Sequence, residues 1–119
     1  MSELIDRLVA NVGIDEPTAE KTVGIILNFL KKEGPAERVQ SLIDNLPGAP
    51  ALMASHKDGG GMFDMGGLMG VGAKLMGAGL SMGQVQTAAK EILIFAREKA
   101  GNQAVEEIAA RIPGLSQFA

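Results

Sequence analysis

Soft metal ligands are the first chemistry on offer. Met62, Met65 and Met69 follow one another at spacings of three and four, with His56 ahead of them, and thioether with imidazole suits Cu(I). Methionine's flexible stem also fills the irregular gaps that glycine leaves, and no cysteine supports a copper site. Packing is therefore the favoured account, and no metal site is assigned. A Met-rich surface of this kind can also hold a partner helix. Met62, Met65, Leu68, Met69 and Met76 are accordingly the candidate interaction surface.

Other groups carry less. Gly59-Gly60-Gly61 suggests a phosphate loop, but no G-x-x-x-x-G-K-[ST] pattern and no preceding strand accompany it. His56 with Asp58 is half of an acid/base or metal pair at most, since the chain's one histidine has no second ligand at fixed spacing. Asp15, Glu16, Glu106 and Glu107 fit helix-dipole and solubility roles. Lys31, Lys32, Arg38, Lys90, Arg97, Lys99 and Arg111 interleave with Glu33, Glu37, Glu91 and Glu98, a pattern of ion pairing on a solvated face. The stretch from Gln103 to Ile112 carries only Arg111 as a base, too little for a DNA-reading helix. No catalytic residue and no cofactor site is assigned.

Composition sets the outer bounds. At 119 residues, 46% apolar and 21% charged, the chain has the make-up of one globular domain able to bury a core unaided. With few aromatic residues, four Phe and neither Trp nor Tyr, the core falls to aliphatic side chains and Met. A net charge of −3 argues against nucleic acid as a partner. Absence of cysteine fits a reducing compartment, and the acidic start Met-Ser-Glu-Leu-Ile-Asp-Arg lacks a secretory signal. Cytoplasmic location is the expectation. No stretch reaches the roughly 20 apolar residues of a membrane-spanning helix, while peripheral membrane contact stays open.

Helical spacing of Leu4, Ile5, Leu8, Val9 and Val12 predicts a first helix over 2–12, ended by Gly13 in a left-handed conformation. Asp15 caps a second helix from Glu16 to about Glu33, in which Ala19, Val23, Ile26, Leu27 and Leu30 form the apolar stripe and Pro17 falls in the tolerant first turn. Gly34 stops it. Pro35 is expected at the first position of a third helix that buries Val39, Leu42, Ile43 and Leu46. Pro47-Gly48-Ala49-Pro50 ends that helix, and one further turn is expected from Ala51 to His56. Ser81-Met82-Gly83-Gln84 reads as a capping box for a helix to about Ala100. Asn102 is expected to cap the last helix, whose inward face is Val105, Ile108, Ala109 and Ile112. In the glycine-rich connector from Lys57 to Gly79 a weak helix at best is expected. The small-residue pairs Gly66/Gly70 and Ala73/Gly77 would let it lie close to a neighbour.

These segments repeat. Residues 13–52 lie on 79–118 at a constant offset of 66, with identities at Gly13/Gly79, Ile26/Ile92, Leu27/Leu93, Phe29/Phe95, Val39/Val105 and Pro47/Pro113. What the copies share is a burial pattern, so they predict two equivalent αα-hairpins that bury their faces on each other. The fold expected is all-α. Two pseudo-repeated αα-hairpins form a helical bundle over 1–119, with a short N-terminal helix and a Gly/Met-rich connecting segment at 57–79. Met62, Leu68, Met69, Val71, Leu75 and Met76 are expected to close its open side.

The twice-used phrase of helix, break, and helix ending in Leu46-Pro47 or Ile112-Pro113 resembles small bacterial proteins of the domain-of-unknown-function type built from tandem αα-hairpins. Gly13-Ile14, Ile26-Leu27-x-Phe29-Leu30 and Phe95 to Ala100 carry the likeness too. It implies the fold and no activity, and it leaves the Gly/Met connector unexplained. Packing residues are plentiful and chemically reactive ones scarce. The expected function is thus a non-catalytic interaction or scaffolding module, self-association included. Its alternative is a binding protein for an apolar small molecule or a membrane surface through the Met/Gly-rich segment.

Overall fold

The computed structural model describes residues 2–46, 48–55 and 67–112. Among them the chain is all-helical, without a strand: α1 (Ser2–Val12), α2 (Glu16–Glu33), α3 (Ala36–Asp44), α4 (Ala49–Ser55), α5 (Gly67–Gly77), α6 (Met82–Ala100) and α7 (Asn102–Arg111). Local chemistry sets most boundaries. Asp15 lies in extended backbone and its carboxylate accepts the Thr18 N–H at 3.0 Å, supplying one of the orphan donors that open α2. Gly13 has φ +83°, which a side chain would strain. Gly34 closes α2 for a steric reason: a Cβ there would come within 2.8 Å of the Leu30 carbonyl oxygen and 2.9 Å of Val39.

α2 is the central element. It buries Ala19, Val23, Ile26, Leu27, Phe29 and Leu30, a face wide enough to meet α1, α3, α4 and α5. It packs most extensively on α4, where the Asn28 side-chain amide donates to the Met53 carbonyl at 3.0 Å. Gly24 is buried in α2. α1 lies against α6 as well as α2, α5 against α2 as well as α6, and α3 against α7. One continuous core results, with Leu4, Leu8, Leu27, Leu42, Leu75 and Ile92 almost wholly buried. Each such leucine or isoleucine contributes about 1.5–3 kcal/mol by leaving water. The radius of gyration, 12.8 Å, is that of a single domain of this length.

Several local expectations are corrected. Pro35 is the residue before α3 rather than its first, with ψ 120° and no side-chain cap. Asn102 opens α7 from inside the helix, and Gly101, at φ +94°, occupies the cap position instead. The single turn expected at 51–56 is the longer α4, which begins at Ala49 because Pro50 falls in the first turn, where its missing N–H costs nothing. Leu46 and Ile112 lie just beyond their helices, yet both are buried. Val9, placed in the apolar stripe of α1, is 37% exposed. The connector does contain a helix, α5. Gly70 is buried in it, whereas Ala73 and Gly77 are exposed, so that small-residue pair is not a contact.

Candidate interaction surface

The expected surface divides. Met62 and Met65 lie outside the described residues, as do His56, Asp58 and Gly59–Gly61. Leu68 and Met69 fall in the first turn of α5, their side chains beyond what is described. Val71 and Leu75, expected to close the bundle, are both buried. Met76 is not: one residue on from Leu75, it is rotated about 100° round the helix and is 46% exposed.

The corner that carries Met76 is built by backbone chemistry. At the end of α5 the Gly79 N–H donates to the Met76 carbonyl at 3.1 Å and the Leu80 N–H to that of Leu75 at 3.2 Å. Gly79 is at φ +112°, and Leu80 and Leu75 are both buried. This is a Schellman stop with its hydrophobic contact, and it turns the chain into α6. Ser81 then caps α6: its N–H donates to Gln84 Oε1 at 2.8 Å, and its hydroxyl accepts the Gln84 N–H at 3.3 Å. The Gln84 amide also donates to the Val12 carbonyl at 3.2 Å, supplying a partner to the open end of α1. Held this way, Met82 opens α6 pointing outward, 57% exposed. Sequence reading placed Met82 only inside the capping box. The signal that could have found it is Glu16, a charged residue at the equivalent position of α2.

Thr22 is buried, and its hydroxyl donates to the Thr18 carbonyl at 2.8 Å. No group of three His, Cys, Asp or Glu among the described residues is arranged to hold a metal ion. Hydrogen bonding by Thr18 holds the exposed Asp15 carboxyl below its usual value, while Glu98 raises the Arg7 guanidinium. Three charged pairs join different helices. Arg7 meets Glu98 at 2.8 Å, Lys99 meets Glu3 at 3.7 Å, and Arg38 is paired with Glu107. Arg7 and Lys99 also stand 5.4 and 5.3 Å from the centre of the buried Phe95 ring; the Arg7 contact joins α1 to α6, and the Lys99 contact lies within α6.

An open groove of about 500 Å³ runs between α3 and α7, lined by Pro35, Ala36, Glu37, Arg38, Glu107 and Arg111 among others. Four charged side chains make it a poor receptacle for an apolar molecule. Among the described residues no helix is long and apolar enough to cross a membrane. Compared with protein-family models, curated proteins and solved structures, the chain matches none.

Proposed function

We propose that the protein is a duplicated helical unit with a non-catalytic role, and that it self-associates weakly through the α5–α6 corner. Support for the duplication comes from geometry at the offset of 66. α2 and α6 start at Glu16 and Met82, and α3 and α7 at Ala36 and Asn102. The caps Asp15 and Ser81 have φ/ψ of −79°/169° and −79°/168°. Gly13 and Gly79 both have positive φ. The packing follows the same exchange of labels, since α1 on α6 becomes α5 on α2. A pseudo-twofold pair of αα-hairpins, each preceded by a short helix, accounts for all of this.

One observation carries the function: the two equivalent corners differ in charge while doing the same structural work. The α1–α2 corner presents Ala10, Asp15, Glu16 and Lys21, whereas the α5–α6 corner presents Met76, Ser81, Met82 and Thr87. Between Lys74 and Lys90 no residue is charged. Because the first corner folds with charged residues, the fold does not require methionine at the second. An uncharged, Met-bearing tip is self-complementary. In a chain of net charge −3 two copies can meet there without like-charge repulsion, whereas Asp15 and Glu16 oppose the same meeting at the other corner. Two half-exposed methionines fall well short of the roughly 800 Å² per partner of a stable complex, so the association is transient.

Sedimentation velocity over a concentration series tests this reading. Met76→Ala with Met82→Glu installs the residues of the equivalent positions, Ala10 and Glu16. The variant is expected to keep its helicity and melting temperature and to stay monomeric where the parent's average mass rises. A parent that remains monomeric throughout, or a variant that associates equally, overturns the proposal.

A further inference from the structure

The two long helices differ in what covers them. Along α2, Pro17, Glu20, Gly24, Asn28 and Lys31 recur at helical spacing and share one stripe, and α4 lies over its middle. Gly24 is buried there, Asn28 donates to the Met53 carbonyl, and Glu20 lines a cavity together with Gly48, Ala51 and Leu52. At the offset of 66 the equivalent stripe of α6 is Gly83, Gln86, Lys90, Ile94 and Arg97. Lys90, which replaces the buried Gly24, is exposed, as is Gln86, and Ile94 is 39% exposed. This face of α6 therefore presents an isoleucine between two bases, where its twin carries a packed helix.

The same chain carries a surface of the opposite sign. The cavity between α1, α2 and α4, about 270 Å³, sets Asp6, Glu16 and Glu20 beside the apolar Ile5 and Leu52, with no base among its lining residues. We infer that a second copy of this chain seats its α6 stripe on this cavity, Lys90 and Arg97 toward the three carboxylates and Ile94 toward the apolar side chains. Two bases without an acid on one surface and three acids without a base on the other are complementary, and each surface repels its own kind. The two surfaces differ, so the contact is heterologous: every copy keeps one of each open, and association continues past the dimer. It uses other residues than the meeting of two Met76/Met82 corners and does not rest on it. Salt separates the two. At about 1 M, where charges are screened beyond roughly 3 Å, the stripe contact is suppressed and the sedimentation series on the corner reads the methionines alone; at about 10 mM the screening length is roughly 30 Å and the stripe contact is strongest.

Charge reversal on either surface tests the inference, in a Met76→Ala/Met82→Ser background that removes the corner without adding charge. By sedimentation velocity at about 10 mM salt, the background chain's average mass is expected to rise past the dimer with concentration and to return to the monomer at about 1 M. Lys90→Glu in one chain, and Asp6→Lys with Glu20→Lys in another, set like charges face to face and are each expected to weaken association at least about tenfold. Mixed in equal amounts the two chains recover it. The reversed stripe fits the reversed cavity, and the unreversed stripe fits the unreversed cavity, so recovery also shows that both chains are folded. A background chain that stays monomeric at low salt, reversed chains that associate as the background does, or a mixture without recovery overturns the inference. A stripe occupied instead by residues 113–119 of the same chain, or by an unrelated acidic helix, leaves the background chain monomeric and overturns it equally. If the chain with Asp6→Lys and Glu20→Lys does not fold, as a thermal melt shows, Lys90→Glu against the background decides alone.

Discussion

Asp15 and Ser81 hold equivalent backbone positions with different chemistry, and the difference gives Asp15 a pH dependence that Ser81 lacks. Hydrogen bonds from Thr18 favour the ionised carboxylate, so the native-state pKa lies below the ordinary one. A group depressed in this way adds stability that is complete above the unfolded-state pKa and is lost as pH falls through the native value. Asp15→Ala is therefore expected to melt below the parent at neutral pH, with the difference shrinking as the pH drops below the usual carboxylate range. Thermal melts of both proteins across pH 2–7 check it, and a pH-independent difference contradicts the assignment. Such caps are readable from sequence because donor and acceptor lie within three residues of each other. Asn102 shows the limit. Its type suits a cap, but Gly101 at φ +94° takes the cap position, a backbone choice that no side-chain pattern announces. Arg38–Glu107 was unreadable for a different reason: its partners meet only after α3 and α7 pack.

Helix α5 is the element whose local preference and final state disagree. Glycine at Gly67, Gly70, Gly72 and Gly77 disfavours helix by up to about 1 kcal/mol per interior position. Burial of Val71 and Leu75 against α2 and α6 overrides it, since most helical stability in proteins comes from packing rather than propensity. The sequence therefore showed that this segment was apolar enough to pack, while its weak propensity concealed how regular the result would be. Gly72 inside it and Gly79 in the turn that follows should respond oppositely to alanine. At Gly72 a Cβ meets nothing within 4 Å and φ is not positive, so Gly72→Ala is expected to stabilise by about 0.5–1 kcal/mol. At Gly79 there is space as well, but φ is +112°, so Gly79→Ala is expected to destabilise by roughly 1 kcal/mol or more. Urea denaturation of the two variants reads both signs, and equal shifts in one direction would remove backbone conformation as the cause.

Across the molecule, the sequence repeat showed which segments are equivalent but not which ones touch. A hairpin packed on its own short helix and a hairpin packed on its partner's satisfy the same apolar periodicity. Only the folded chain shows α1 and α5 each bridging both halves. That interlock makes the covalent connection expendable for the fold, with a calculable consequence. If a specific protease site replaces Gly59–Gly61 and the folded protein is cut there, the halves should stay together, held by their buried faces and the ion pairs between them. The cut does remove tethering. A short connector supplies an effective concentration on the order of millimolar, so at about 10 µM protein the halves lose a factor of roughly 100, or about 3 kcal/mol. Unfolding becomes dissociation, and the melting temperature should rise with protein concentration in the cut protein while staying fixed in the intact one. Gel filtration directly after cleavage, with melts at several concentrations, measures both effects. Halves that separate on the column, or a cut protein whose melting temperature ignores concentration, would show that each half is held by its own contacts rather than by those it makes with the other.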